Sequence, residues 1–208
     1  MDAFLVYFCE VIMTEYYVIA TERDGITVPF FLETVWTPDL PIFSLPEAPI
    51  ATSSFKSHYS LVAKIKELDV DILLNDYIAS TDFLKLCNSV SANYFSVPVQ
   101  IHLKEKKSPQ KEFSFFCVTD RHSILDNSKS SYKLADPRLS VTHTYPVYER
   151  IDRFVVKSGF AGQLFFCEEL KKIVCSARFK KEFESRRLTG AQFTPIDDSY
   201  VFAPWDDF

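Results

Sequence analysis

Glycine is scarce in this chain, four residues in 208, against eleven prolines. No G-x-G-x-x-G or G-x-x-x-x-G-K occurs, so the usual Gly-rich phosphate cradles are excluded. G-x-S-x-G is missing too, and with it the strand–turn–helix elbow that exposes a serine nucleophile. The five cysteines form no C-x-x-C pair, and no two of the four histidines lie closer than 20 residues, so zinc-type ligand spacings are absent. No apolar run approaches the roughly 18 residues of a membrane span. The opening MDAFLVYFCE has no basic leader, and its uncharged stretch ends at Glu10, too short for a signal peptide with normal flanks. Positive charge is also in short supply. Lys and Arg number 23 against 28 Asp and Glu, a formal net charge of −5, which disfavours nucleic acid as a partner. The one basic cluster, Lys104 to Lys111, is broken by Glu105 and Pro109 and reads as a solvated hairpin loop.

Aromatic residues are abundant: 20 Phe, 10 Tyr and 2 Trp. Their simplest use is a Phe-packed core between sheet and helices. Cys9, Cys87, Cys117, Cys167 and Cys175 sit in apolar contexts such as FFCV and LFFC. They read as buried free thiols in a reducing compartment, and the expected location is the cytoplasm, with no membrane partner.

Strand-like runs are expected over Ala3–Cys9, Val11–Ala20, Val28–Trp36, Tyr94–Leu103, Phe113–Val118, Ile151–Val156, Gln163–Phe166 and Lys172–Cys175. Glu22-Arg23-Asp24-Gly25 and Asp126-Asn127-Ser128 read as turns. Four prolines fix Pro38–Pro49 as an extended loop. Phe55, Tyr59, Val62, Ile65 and Leu68 recur at three- and four-residue spacing and predict a helix. Ser80 is an N-cap for a second helix through about Asn88, and Ser176 for a third, with Phe179 and Phe183 on its buried face. Gly190 is expected to end that helix, and Ala191–Thr194, with Phe193 and then Pro195, to form a closing strand. The stretches from Ser80 and Ser176 echo one another. Each has a serine cap, Phe at the third position after it, a helix, and a strand ending near proline. The expected fold class is α+β, with mixed or antiparallel sheets packed on a few amphipathic helices, in one compact unit spanning 1–208. A subdivision near 104–112, or two similar helix–strand halves, is the variant the echo suggests.

Candidates for chemistry are sparse. His58 and His102 read as surface or boundary residues, and His143 has no partner at ligand spacing; no metal and no cofactor are expected. Asp120, His122 and Cys117 are the one set from which an enzyme of unknown substrate could be built. Local acid pairs, Asp69 with Asp71 and Asp197 with Asp198, read as solvated turn residues. The acidic, aromatic end offers a binding surface instead: Asp197, Asp198, Tyr200, Phe202, Trp205, Asp206, Asp207 and Phe208. Aromatics set among acids supply anchors within a negative field suited to a basic partner.

One resemblance bears on function. Gln163–Phe166, Val174–Ser176, Phe179, Leu188-Thr189-Gly190, Phe193 and Pro195 follow the C-terminal signature of a bacterial immunity-protein family found beside polymorphic toxins. Phe116-Cys117-Val118-Thr119-Asp120, Ile124-Leu125-Asp126 and Lys129-Ser130 are similar to that family's central strand and the Lys-Ser pair after it. The likeness spans Phe113 to Ile196; the N-terminal half matches only loosely, and the family's binding residues do not carry over position by position. The resemblance implies a cytoplasmic antidote that binds a cognate toxin and is not itself an enzyme. The acidic charge suits a basic toxin domain.

Overall fold

The computed structural model describes residues 15–22, 32–136 and 146–204. Cys9, His143 and Trp205–Phe208 lie outside them, as do the expected strand Ala3–Cys9 and most of the turn at Glu22–Gly25. Among the described residues the fold is α+β, with two sheets, a two-stranded ribbon and two α-helices.

The first sheet combines β1 (Tyr16–Thr21), β8 (Arg121–His122), β11 (Leu164–Cys167), β12 (Lys172–Ser176) and β13 (Ala191–Pro195), in the order β13-β1-β12-β11-β8. Only the β11–β8 pairing is parallel. The second sheet contains β2 (Thr34–Thr37), β3 (Tyr59–Ala63), β4 (Ile72–Leu73), β5 (Ile78–Ser80), β6 (Tyr94–His102) and β7 (Phe113–Val118), in the order β2-β3-β6-β7-β5-β4. The ribbon pairs β9 (Ser131–Leu134) with β10 (Tyr148–Arg153).

The first sheet is a wall between two cores. Ile19, Leu164, Phe166 and Cys175 face one core, shared with the helices and the second sheet. Tyr16, Val18, Phe165, Cys167 and Val174 face the other, closed by Ile124, Leu125, Tyr148, Ile151 and Phe154. A strand buried on both faces needs an unbroken apolar run rather than alternation, which accounts for Leu164-Phe165-Phe166-Cys167. Much of the aromatic excess is absorbed here. Phe115 alone has five ring neighbours, Trp36, Phe43, Phe55, Tyr77 and Phe95, at centroid distances of 4.8–6.3 Å.

The serine echo corresponds to matching topology. Helix α1 (Thr81–Ser89) follows β5, and α2 (Ala177–Ser185) follows β12. Ser80 Oγ accepts from Phe83 N and Ser176 Oγ from Phe179 N, each at 3.2 Å, satisfying a donor that the first helical turn leaves open. Each helix then leads to a strand parallel to the one before it, with an antiparallel strand between them: β7 between β5 and β6, and β1 between β12 and β13. The inserted strand follows in the chain in the first unit but comes from the N-terminal side in the second. The units meet at their helices, where the rings of Phe83 and Phe179 lie 6.0 Å apart.

Two expectations about helices need correction. Residues 55–68 do not form a helix: Tyr59, Leu61 and Ala63 alternate inward on β3, with Ser60 and Val62 turned outward. Nor does Gly190 stop α2. The helix ends at Ser185, and Arg187, at φ +56°, takes the left-handed position beyond it. Gly190 has another duty. Its φ is +97°, and a Cβ there would stand 2.3 Å from both Ile72 O and Val70 Cγ2, so the site demands glycine for conformation and for space.

Candidate functional site

The segment after β13 turns back over the second core. Ile196 N donates to Tyr16 O at 2.8 Å, extending the β13–β1 pairing by one bond. Asp197 then closes a turn, its carboxylate accepting from Ser199 Oγ at 2.6 Å and Ser199 N at 2.8 Å. Those bonds hold its carboxyl below the ordinary range, so Asp197 keeps its charge. Phe202 exchanges backbone hydrogen bonds with Ile151 (2.8 and 2.9 Å) and is only 7% exposed. It is a core residue of the described fold, because the ribbon's end needs an apolar cover. Tyr200 packs half-buried beside it; Asp197, Asp198 and Val201 face solvent. Asp198 meets Arg153 at 3.6 Å with both groups exposed, a contact of little energetic weight.

This segment forms one wall of a groove of about 600 Å³. Tyr200, Val201 and Ala203 line it, opposed by Leu45 and Pro46 of the proline-rich loop and by Leu74, Asn75 and Tyr77 of the turn before β5. Lys171, Lys172 and Ile173 complete it at the start of β12. The lining mixes apolar side chains with the polar Asn75, Lys171, Lys172 and Thr194.

Buried charge fixes the elements around the groove. Glu168, 1% exposed, accepts from Arg121 Nε at 2.6 Å and Lys171 Nζ at 2.9 Å. Burial works against its charge, but those two bonds outweigh it and hold its carboxyl below the ordinary value. Arg121 also lies over the Phe166 ring at 4.4 Å and donates from Nη1 to Leu45 O and Ala48 O, strapping the loop to β8. Next along, buried Glu169 accepts from Ser123 Oγ, Ile124 N and Leu125 N and holds the turn after β8.

The sequence places Asp71 in solvent beside Asp69. It is instead buried, and it accepts from Ser80 Oγ (2.7 Å), Thr189 N (3.0 Å), Lys111 Nζ (3.2 Å) and Thr189 Oγ1 (3.3 Å). A buried carboxylate persists only where donors surround it, and these come from three parts of the chain. Leu188-Thr189-Gly190, part of the signature, is therefore the splice between the two sheets. Ser176, Phe179 and Phe183 are likewise structural, and the ring of half-buried Phe193 packs on Phe183 at 5.2 Å.

Asp120, His122 and Cys117 have separate surroundings. The Asp120 carboxylate accepts from Asn93 Nδ2 at 2.9 and 3.1 Å. The His122 ring packs edge-on against Phe160 and Phe165, on the side of the second core. Cys117 lies in the first core, where burial pushes its thiol up to about 12. The wall formed by the first sheet separates the surroundings of Cys117 from those of His122. His58 is exposed and not on a helix, and His102 sits on β6. Among the described residues, no three His, Cys, Asp or Glu side chains are grouped to hold a metal ion, and no helix is long and apolar enough to cross a membrane. No family model matches the sequence, and no curated protein matches it.

Proposed function

We propose that this chain is an immunity protein, which binds a cognate bacterial toxin in the cytoplasm and blocks it without chemistry of its own. The observation that carries the reading is the edge of the groove. Exposed Asp197 and Asp198 stand next in the chain to Tyr200 and Val201, which line the groove, so acidic charge borders a part-apolar surface that Lys171 and Lys172 close at the start of β12. Interfaces that bind tightly combine such anchors with complementary charge at the rim. The resemblance through Phe113–Ile196 points the same way, and its residues serve as scaffold: cap, core and splice. The buried free thiols Cys87, Cys117, Cys167 and Cys175 suit a reducing compartment. The net charge of −5 favours a basic toxin domain as partner.

The test is coexpression with the toxin encoded beside the chain's own gene. A stable complex and rescue of growth are expected; the absence of both would overturn the reading.

A further inference from the structure

Ile42 is the most exposed of the large hydrophobic residues in the described structure, at 105% of its extended-chain reference. Single exposed aliphatics are common on protein surfaces and mean little alone. This one is held out by a loop that is otherwise tied down. The Phe43 ring packs against Tyr77, Phe55 and Phe115 at 4.8, 5.7 and 5.8 Å. Leu45 is buried, Ser44 O accepts from Glu47 N and Ala48 N, and Arg121 grips the Leu45 and Ala48 carbonyls. Pro38, Pro41, Pro46 and Pro49 remove backbone freedom between those anchor points. The loop therefore has little left to lose when a partner orders it, and that lowers the cost of association.

Its outer surface is apolar and its charge is of one sign. Pro38, Pro46, Ala48, Pro49 and Ala51 are exposed along with Ile42. Asp39 and Glu47 are exposed too, and no Lys or Arg occurs between Thr34 and Phe55. Pro46 lines the same groove as Tyr200 and Val201, so the loop continues the surface described above.

We infer that Pro38–Pro49 is the segment that enters the partner. Ile42 fills an apolar pocket there, and Asp39 and Glu47 meet Lys or Arg side chains at the pocket's rim. This rests on the toxin-binding reading and assigns a contact residue to it.

The experiment uses the full chain and the toxin encoded beside its gene. Affinity is measured for the native chain, for Ile42→Asp and for Asp39→Lys/Glu47→Lys. A photocrosslinking residue at position 42 of an otherwise native chain gives an independent readout of contact. Expected are a crosslink to the toxin and a loss of about tenfold or more in affinity for Ile42→Asp. The double charge reversal should weaken binding and flatten its salt dependence. Native affinity with Ile42→Asp within about twofold would overturn the inference, with or without a crosslink, and leave the toxin-binding reading intact. Lost affinity without a crosslink would overturn it as well, since position 42 would then act from a distance. A native chain that binds no toxin removes the underlying reading and this inference with it.

Discussion

The carboxylate of Asp71 accepts a hydrogen bond from the backbone N–H of Thr189 at 3.0 Å, across 118 residues of sequence. The same carboxylate holds Ser80, the cap of α1, and Lys111, at the end of the Lys-rich loop. One acid thus ties the first strand–helix unit to the second. Asp71→Ala strands these donors in a buried place and is expected to cost about 3 kcal/mol or more. Thr189→Val removes only the longer hydroxyl contact and keeps the backbone bond, so its cost should stay near 1 kcal/mol. Urea unfolding of both variants checks the ranking, and equal costs would contradict it.

Gly190 and Gly159 both have positive φ, +97° and +77°, but differ in their surroundings. A methyl group at 190 runs into Ile72 O and Val70; at 159 it meets nothing within 4 Å. Gly159→Ala should therefore lose about 1 kcal/mol from backbone strain alone. Gly190→Ala adds the clash, with no flexible side-chain end to give way against Ile72 O, and should lose several times as much. Thermal unfolding of the pair separates the two effects.

Acid should release the strap at Arg121. Glu168 is held below its ordinary value of 4.5, so its stabilising contribution is fully present above that pH and fades as pH falls through the lower folded value. Glu168→Gln is expected to cost about 3 kcal/mol near neutrality. The gap between native chain and variant should shrink in acid, because protonation takes the native carboxyl toward the same neutral state. Denaturation curves from about pH 7 down to about pH 3 follow it. A gap that stays constant would contradict the assignment.

The thiols of Cys87, Cys117, Cys167 and Cys175 are all buried, and burial raises each of them. A thiol that seldom ionises and is out of reach reacts slowly. In a Cys9→Ser background, no rapidly reacting thiol is expected in the native protein, and all four should react in denaturant. A fast native thiol would contradict the packing.

The local grammar around the serines was readable in the sequence. Ser80 and Ser176 each precede an apolar residue at the third position, a pattern set by one hydrogen bond within one turn, and both caps are found. The same holds for the run at Leu164–Cys167, which contains only residues that suit burial on both faces. Tertiary partners decided the rest. Phe55, Tyr59, Val62, Ile65 and Leu68 fall at helical spacing by coincidence, whereas the period that matters is the alternation of Tyr59, Leu61 and Ala63 against the core. Asp71, Glu168 and Glu169 look like surface acids because acids usually are. The available signal was their setting. Val70 and Ile72 flank Asp71, and Phe165-Phe166-Cys167 and Leu170 enclose the glutamates, all of them buried. In sequence Phe202 reads as a partner-facing aromatic, but it pairs with Ile151 fifty-one positions earlier, a contact with no local signature.

The proposed toxin contact runs over the face bordered by the groove and the proline-rich loop. Titration of the full chain into the purified toxin encoded beside its gene tests it most directly. A saturable complex that inhibits the toxin and weakens as salt rises is expected, because exposed Asp39, Glu47, Asp197 and Asp198 lie on that face. No binding at any salt concentration, with toxin activity unchanged, would contradict it.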